Sequence, residues 1–463
     1  MEPLTHLSAT ALARAIRERQ LSSLEVVEAH LARIEGVNPK LNAIAQLVAD
    51  NALQEAAEAD AALARGDPLG ALHGVPFTVK DWIETAGVIC AAGSVERRDF
   101  VPRRDATVVA RMRAAGAILL AKTSDGHDNA VYGHPNNPYD LTRTPGGSSS
   151  GEAAIIAAAG SPVGLGSDSG GSIRYPAHCC GIAGLKPTNG RVPLTGHFPR
   201  INPLADPRTQ IGPMARYVED LGLLLPIISG PDGRDASVIP VPLGHWTDVT
   251  LSRGSGFSPQ RVASGDNLTG GGEGHTTGTP LRVATYTEFP GASATSETAA
   301  AVADAARALK DAGAEVEEAL PPRIEESLDI TRAYWRRVES YSWNDWVPDK
   351  PKHSLTAEEI ERSIFQWDRL RRDFLTFMRR FDAILCPVAA SPAGHGAAVE
   401  IDFIHTLPYS LTGYPVVVVR AGTSAEGLPI GVQVVAQPWR DAVALAVAHH
   451  IEIALGGWRP PSI

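Results

Sequence analysis

Short apolar runs with a period of two alternate along this chain with longer runs of helical period, and that alternation narrows the fold more than any other feature. Val75, Phe77 and Val79 alternate before Lys80 and Asp81, the pattern of a strand that delivers a lysine at its end. Thr107 to Ala115 has helical spacing, and Gly116 breaks it before the apolar stretch Ala117 to Ala121. Leu281 to Tyr286, Ala314 to Val316, Ala383 to Leu385, Val416 to Val419 and Ile430 to Val435 are strand-like, with helical runs at Ser296 to Ala312 and from Asp441 onward. Elements in this order build an α/β protein with a central mixed β-sheet flanked by α-helices. Two capping-box pairs mark helix starts, Ser22 with Glu25 and Thr356 with Glu359. The first opens a helix lined by Leu24, Val27, Leu31 and Ile34 and expected to end at Gly36; an alanine-rich helix follows to about Gly66. The second lies in a charged, aromatic-containing helical region over 324–381.

With 463 residues, 44% of them hydrophobic, the chain can bury one large core or two ordinary ones. Between Gly230 and Pro280, Gly, Ser, Thr and Pro dominate, so 250–280 is expected to be a surface insertion. A net charge of −10 without a Lys/Arg block argues against nucleic acid or an anionic membrane as partner. The first twenty residues lack the apolar centre of a signal peptide, and no apolar run reaches the length of a membrane span. Four cysteines make no disulfide framework, and the adjacent Cys179 and Cys180 are poorly placed to bridge each other. Reduced thiols in a cytoplasmic protein are expected.

Two segments carry chemistry: Gly74-Val75-Pro76-Phe77-Thr78-Val79-Lys80-Asp81, and the glycine- and serine-rich run from Gly146-Gly147-Ser148-Ser149-Ser150-Gly151-Glu152 to Gly170-Gly171-Ser172-Ile173-Arg174-Tyr175-Pro176. Residues 144–190 read as loop, helix (Ala153 to Ala159), strand (Val163 to Leu165) and loop. Hydrolysing an amide needs a nucleophile, a base, donors for the oxyanion and an acid for the leaving amine. A lysine desolvated at a strand end can be the base: lowering its pKa from about 10.4 to between about 7 and 8 takes roughly 4 kcal/mol, which burial can supply. Two glycines before Ser172 permit unusual torsions and leave the approach of a carbonyl open.

These segments, with Asn137-Pro138-Tyr139-Asp140, Gly184-Leu185-Lys186-Pro187-Thr188 and Gly427-Leu428-Pro429-Ile430-Gly431-Val432-Gln433, give the chain a resemblance to the amidase signature family over nearly its whole length. The resemblance implies a single domain over 1–463, a catalytic core over 70–230 and a helical segment at 324–381 that roofs the pocket. It implies Lys80 as base, Ser148 as a bridging serine on a cis peptide bond, and Ser172 as the acylated nucleophile. Ser169, Gly170 and Gly171 would form the oxyanion hole, with Asp168 and Arg174 bracing the loop. No metal or organic cofactor is called for. The substrate would be a small-molecule amide or carbamate, acted on by a monomer or homodimer; the family also includes the amidase component of a tRNA-dependent amidotransferase, and a catalytically silent binding protein is a third class.

Gly147-Ser148-Ser149-Ser150-Gly151 also fits G-x-S-x-G, a nucleophile elbow with Ser149 as nucleophile, but Asn136 to Pro145 is polar and proline-rich where that motif needs a strand. His127, His134, His178 and His197 match no H-E-x-x-H or C-x-x-C spacing, which favours structural or surface roles. His127, Tyr132, Cys179 and His197 are candidate pocket residues, and Tyr334, Trp335, Tyr341, Trp343 and Trp346 form either an aromatic substrate wall or core. The stretch from Lys122 to Tyr132 is shorter than the resemblance implies, which points to an open pocket suited to aryl amides or urethanes.

Overall fold

The computed structural model describes residues 3–126, 129–201, 207–251, 280–338 and 356–463. Its strands are β1 (Ile44–Leu47), β2 (Pro76–Lys80), β3 (Ile118–Thr123), β4 (Val163–Asp168), β5 (Ala183–Lys186), β6 (Gln210–Ala215), β7 (Arg282–Thr285), β8 (Glu315–Glu318), β9 (Ala383–Pro387), β10 (Val416–Thr423) and β11 (Pro429–Ala436). They form one sheet in the order β1-β3-β2-β4-β6-β5-β10-β11-β9-β7-β8. The sheet is mixed, as expected: β3, β2 and β4 run parallel, as do β9, β7 and β8, while the centre is antiparallel.

Helices cover both faces because successive strand residues point to opposite sides. Phe77, Val79, Leu119, Leu165, Val417 and Val419 face a core closed by the helices Val218–Ile228 and Asp441–Leu455. Ile118, Leu120 and Val418 face the helices Ser23–Leu41, Ala49–Arg65 and Ser150–Ala157. Each fully buried Val, Leu or Phe of this kind stabilises the fold by about 1.5–3 kcal/mol. A third cluster, including Tyr286, Phe289, Trp367, Phe374 and Tyr409, lies under the helices Ala357–Phe377 and Leu407–Thr412.

Both capping boxes are present, with Ser22 and Thr356 exchanging hydrogen bonds with Glu25 and Glu359. The helix that Ser22 opens does not stop at Gly36. It runs on to Leu41 because Val37 and Leu41 extend its buried stripe, and Asn42 ends it in a left-handed conformation. The final stretch of the signature region is not all loop: Arg174–Cys180 is a short helix that tolerates Pro176 in its first turn, and β5 follows. Residues 252–279 lie outside the described residues. The part of the Gly/Ser/Pro-rich region before them is not detached, since Leu243, Trp246, Val249 and Leu251 pack partly buried against the core and Trp246 meets the His449 ring edge-on at 4.8 Å. Within 324–381 the helices Ser327–Val338 and Ala357–Phe377 are separated by residues outside the description. Among the described residues no helix is long and apolar enough to cross a membrane, and Cys90, Cys179, Cys180 and Cys386 are buried and unpaired.

Candidate active site

Pro76, Thr78 and Lys80 face the helix Ser150–Ala157, opposite to Phe77 and Val79. Thr78 donates to Glu152 on that helix, and Lys80 reaches the loop that precedes it. Because β2 and β4 are parallel, their carboxyl ends share one edge of the sheet, so Lys80 meets Ser167 there, Nζ to Oγ at 3.3 Å. Lys80 is fully buried and its Nζ donates to Ser148 Oγ at 2.5 Å. The indole of Trp82 covers the ammonium position, with Nζ 4.0 Å from the ring centroid, and Trp82 Nε1 donates to Asp125.

The Gly147–Ser148 peptide bond is cis. Ser148 is 2% exposed, and its carbonyl accepts from the Gly126 N–H at 3.1 Å. The Ser149 N–H donates to the Ser172 carbonyl at 3.1 Å, which pins the residue after Ser148 to Ser172. Ser149 itself is fully buried with its hydroxyl against the Ser167 backbone, and no strand lies over 129–148 to lead directly into it, so the elbow geometry with Ser149 at its tip is absent among the described residues. Ser172 is half-buried and its hydroxyl has no hydrogen bond among the described residues. The same holds for the backbone N–H groups of Gly170, Gly171 and Ser172, three successive donors. Ser169 Oγ is engaged by Thr209 Oγ1 at 2.6 Å.

Asp168, at the end of β4, accepts from the Ile173 N–H and is held by two nitrogens of Arg174 at 2.9 Å, both side chains wholly buried. Arg174 also donates to Thr406 O at 2.7 Å and Ser410 Oγ at 2.6 Å. Burial pushes the Asp168 carboxyl up, but the Arg174 guanidinium, Lys186 and the Ile173 N–H together outweigh it and hold the pKa below the ordinary value. Removing one partner strands a buried charge, so Arg174→Ala is expected to cost about 3–5 kcal/mol in a urea titration; a loss under about 1 kcal/mol would contradict the bracing role.

Burial lowers the Lys80 pKa to about 7, against the pull of Asp125, Asp168 and Glu152, which favour the ammonium. Glu152 is pushed up to about 7 by burial, opposed by hydroxyl donation from Thr78 and Thr123 and by Lys122 and Lys80. Asp81 is raised to about 6, again by burial, with Lys122 opposing it from 3.9 Å. Burial thus favours the free amine of Lys80 over its ammonium form relative to a lysine in water.

A lysine buried at a strand end, a serine after a cis bond and a second serine after two glycines occupy one edge of a mixed sheet, and a family model described as Amidase matches residues 25–445. The chain belongs to the amidase signature family. This amidase-family hydrolase is 32% identical to an acylamidase from Rhodococcus erythropolis over 96% of this chain and 95% of that protein. It is equally 32% identical to a component of the glutamyl-tRNA(Gln) amidotransferase of Koribacter versatilis, over 95% of this chain and 97% of that one. Among solved structures, that of 6-aminohexanoate cyclic dimer hydrolase with its substrate superposes with a TM-score of 0.81 at 25% identity, over 100% and 99% of the two chains.

The other residues singled out in this amidase-family chain are more dispersed. His197 is buried, meets Trp82 edge-on with centroids 6.0 Å apart and hydrogen-bonds through Nδ1 to Pro199 O; burial lowers its pKa to about 4. Tyr132 bonds instead to Gln46 on β1 and to Asn42. Cys179 is sealed in an apolar cluster with Tyr175, Ala389 and Ala393. His127 lies outside the described residues, as do Tyr341, Trp343, Trp346 and the side chain of Trp335. Tyr334 is core, 2% exposed and packed edge-on against Trp367. Sequence reasoning passed over Trp82, Asp125, Glu152 and Ser167. Trp82 had a signal, since it sits two residues after Lys80, and so did Glu152, a carboxylate leading into the apolar run Ala153 to Ala159.

Proposed function

We propose that this chain cleaves amide-type C–N bonds through an acyl-enzyme on Ser172, with Lys80 as base and Ser148 as the bridge between them. The observation that carries this reading is the 2.5 Å bond from buried Lys80 to Ser148. Neutral Lys80 takes a proton from Ser148 as Ser148 takes one from Ser172, whose Oγ attacks the carbonyl carbon. The oxyanion lies against N–H groups of the Ser169–Gly171 stretch and Ser172. The C–N bond breaks as the proton returns along the same path to the leaving amine. Water, deprotonated through the same relay, then attacks the ester and releases the acid and Ser172.

Aryl and aliphatic amides are the first substrate class, with carbamates added because the segment between Lys122 and Tyr132 is shorter than the family resemblance implies, and esters as a further candidate class. Of the candidate pocket residues, His197 is best supported through its contact with Trp82. A panel of anilides, primary amides, esters and carbamates offered to the purified protein tests the class; turnover of none of the amides would overturn it. Because Lys80 must be unprotonated and its pKa is lowered to about 7, kcat/KM is expected to rise about tenfold per pH unit toward pH 7 and level off above it. A profile flat from pH 5 to 9 would remove Lys80 as base.

A second reading, the amidase component of an amidotransferase complex, is favoured by the match to the Koribacter versatilis amidotransferase component across nearly the full length of both chains. In the first reading the protein acts alone as monomer or homodimer in a reducing, cytoplasmic setting, and in the second it needs partner proteins. Steady turnover of an anilide by the isolated chain supports the first; activity that emerges only when the other amidotransferase components are added supports the second.

A further inference from the structure

Thr406 lies 236 residues from Gly170 in sequence, yet its hydroxyl donates to the Gly170 carbonyl. The approach is so close that a Cβ on Gly171, whose φ is +147°, would collide with Thr406 Oγ1. Thr406 is also the N-cap of the helix Leu407–Thr412, a position where a threonine hydroxyl ordinarily accepts from the first-turn N–H groups. Here it makes no such cap. The hydroxyl also lies 2.7 Å from Phe403 O, which accepts from the Thr406 N–H at 2.8 Å as well, so its one proton is shared between the Gly170 and Phe403 carbonyls. The Thr406 carbonyl in turn accepts from Arg174, whose other nitrogens hold Asp168 and Ser410. Thr406 is thereby fixed from both sides to the loop that carries Ser172.

In a trans peptide the C=O and N–H point in opposite directions. Fixing the Gly170 carbonyl therefore fixes the Gly171 N–H, one of three successive donors, Gly170 to Ser172, that have no partner among the described residues. The geometry points to Thr406 as a positioning residue for the oxyanion hole, holding the Gly170–Gly171 peptide so that its N–H faces the reacting carbonyl oxygen. This rests on the assignment of Ser172 as nucleophile.

The test is the second-order rate of labelling by a fluorophosphonate, whose phosphoryl oxygen gains charge as the carbonyl oxygen of a substrate does, together with kcat and KM on an anilide. Loss of an oxyanion donor costs about 10²–10³-fold, and loosening one by removing its positioner is expected to cost about tenfold. Thr406→Val should lower the labelling rate and kcat by about that factor with KM changed less than about twofold, and Thr406→Ser, which keeps the hydroxyl, should restore both. Thr406→Ala, which adds no bulk, serves the same comparison if the valine variant does not accumulate. Wild-type rates in the hydroxyl-free variant, or an equal loss in the serine variant, would overturn the role of Thr406. Labelling that persists in Ser172→Ala would instead overturn the underlying assignment, so the two failures are distinguishable.

Discussion

Replacing Ser172 by alanine is expected to lower turnover of an anilide by about 10⁴-fold or more and to abolish covalent labelling by a fluorophosphonate. The expectation rests on location. Ser172 is half-buried with its hydroxyl unengaged among the described residues, whereas Ser148 and Ser149 are closed off from solvent. A substrate carbonyl therefore meets Ser172 first. Little stability should be lost, because the substitution removes one oxygen that bonds to nothing among the described residues, and surface-type changes of this kind stay within about 0.5 kcal/mol. Equal loss of activity and of native circular dichroism would mean that the serine is structural.

Lys80→Met is the second large effect, with an expected fall of about 10²–10⁴-fold, the usual range for removing a proton-transfer group. Methionine fills a similar volume without an amine, so the loss should not come from a cavity. The sign of the stability change is a further check. Burial lowers the Lys80 pKa to about 7 from the ordinary 10.5, so between these values the unfolded chain binds the proton more tightly and folding stability rises with pH. Removing the amine removes that dependence, and Lys80→Met should be at least as stable as the parent at pH 7. Urea titrations at pH 7 and pH 9 measure both effects. A variant much less stable at pH 7 would make Lys80 a structural cation.

Features set by neighbouring residues were legible in the sequence, and those set by distant partners were not. The alternation of Val75, Phe77 and Val79 fixed the strand, and through the period of two it fixed the face on which Lys80 emerges. Helix starts at Ser23 and Ala357 were legible because a capping box is closed within four residues. The end at Gly36 was misread because glycine costs only about 1 kcal/mol in a helix, less than burial of Val37 and Leu41 returns. Strands β1, β5 and β6 went unread since they become strands by pairing with segments far along the chain. Within the site, Ser172 was marked by its two glycines, while Ser167, Asp125 and Thr406 reach it by folding and leave no local pattern. Tyr132, which ends the short segment after Lys122, and Cys179, where the resemblance implies an aromatic residue, find their partners on β1 and in an apolar cluster.

The proposed mechanism turns on one covalent bond. Acid-quenched protein turning over p-nitrophenyl acetate, digested and sequenced by tandem mass spectrometry across Thr144–Arg174, should carry the acetyl group on Ser172, and the adduct should accumulate less in Lys80→Met. An acetyl group on Ser148 or Ser149, or turnover with no acylated serine in that peptide, would contradict it.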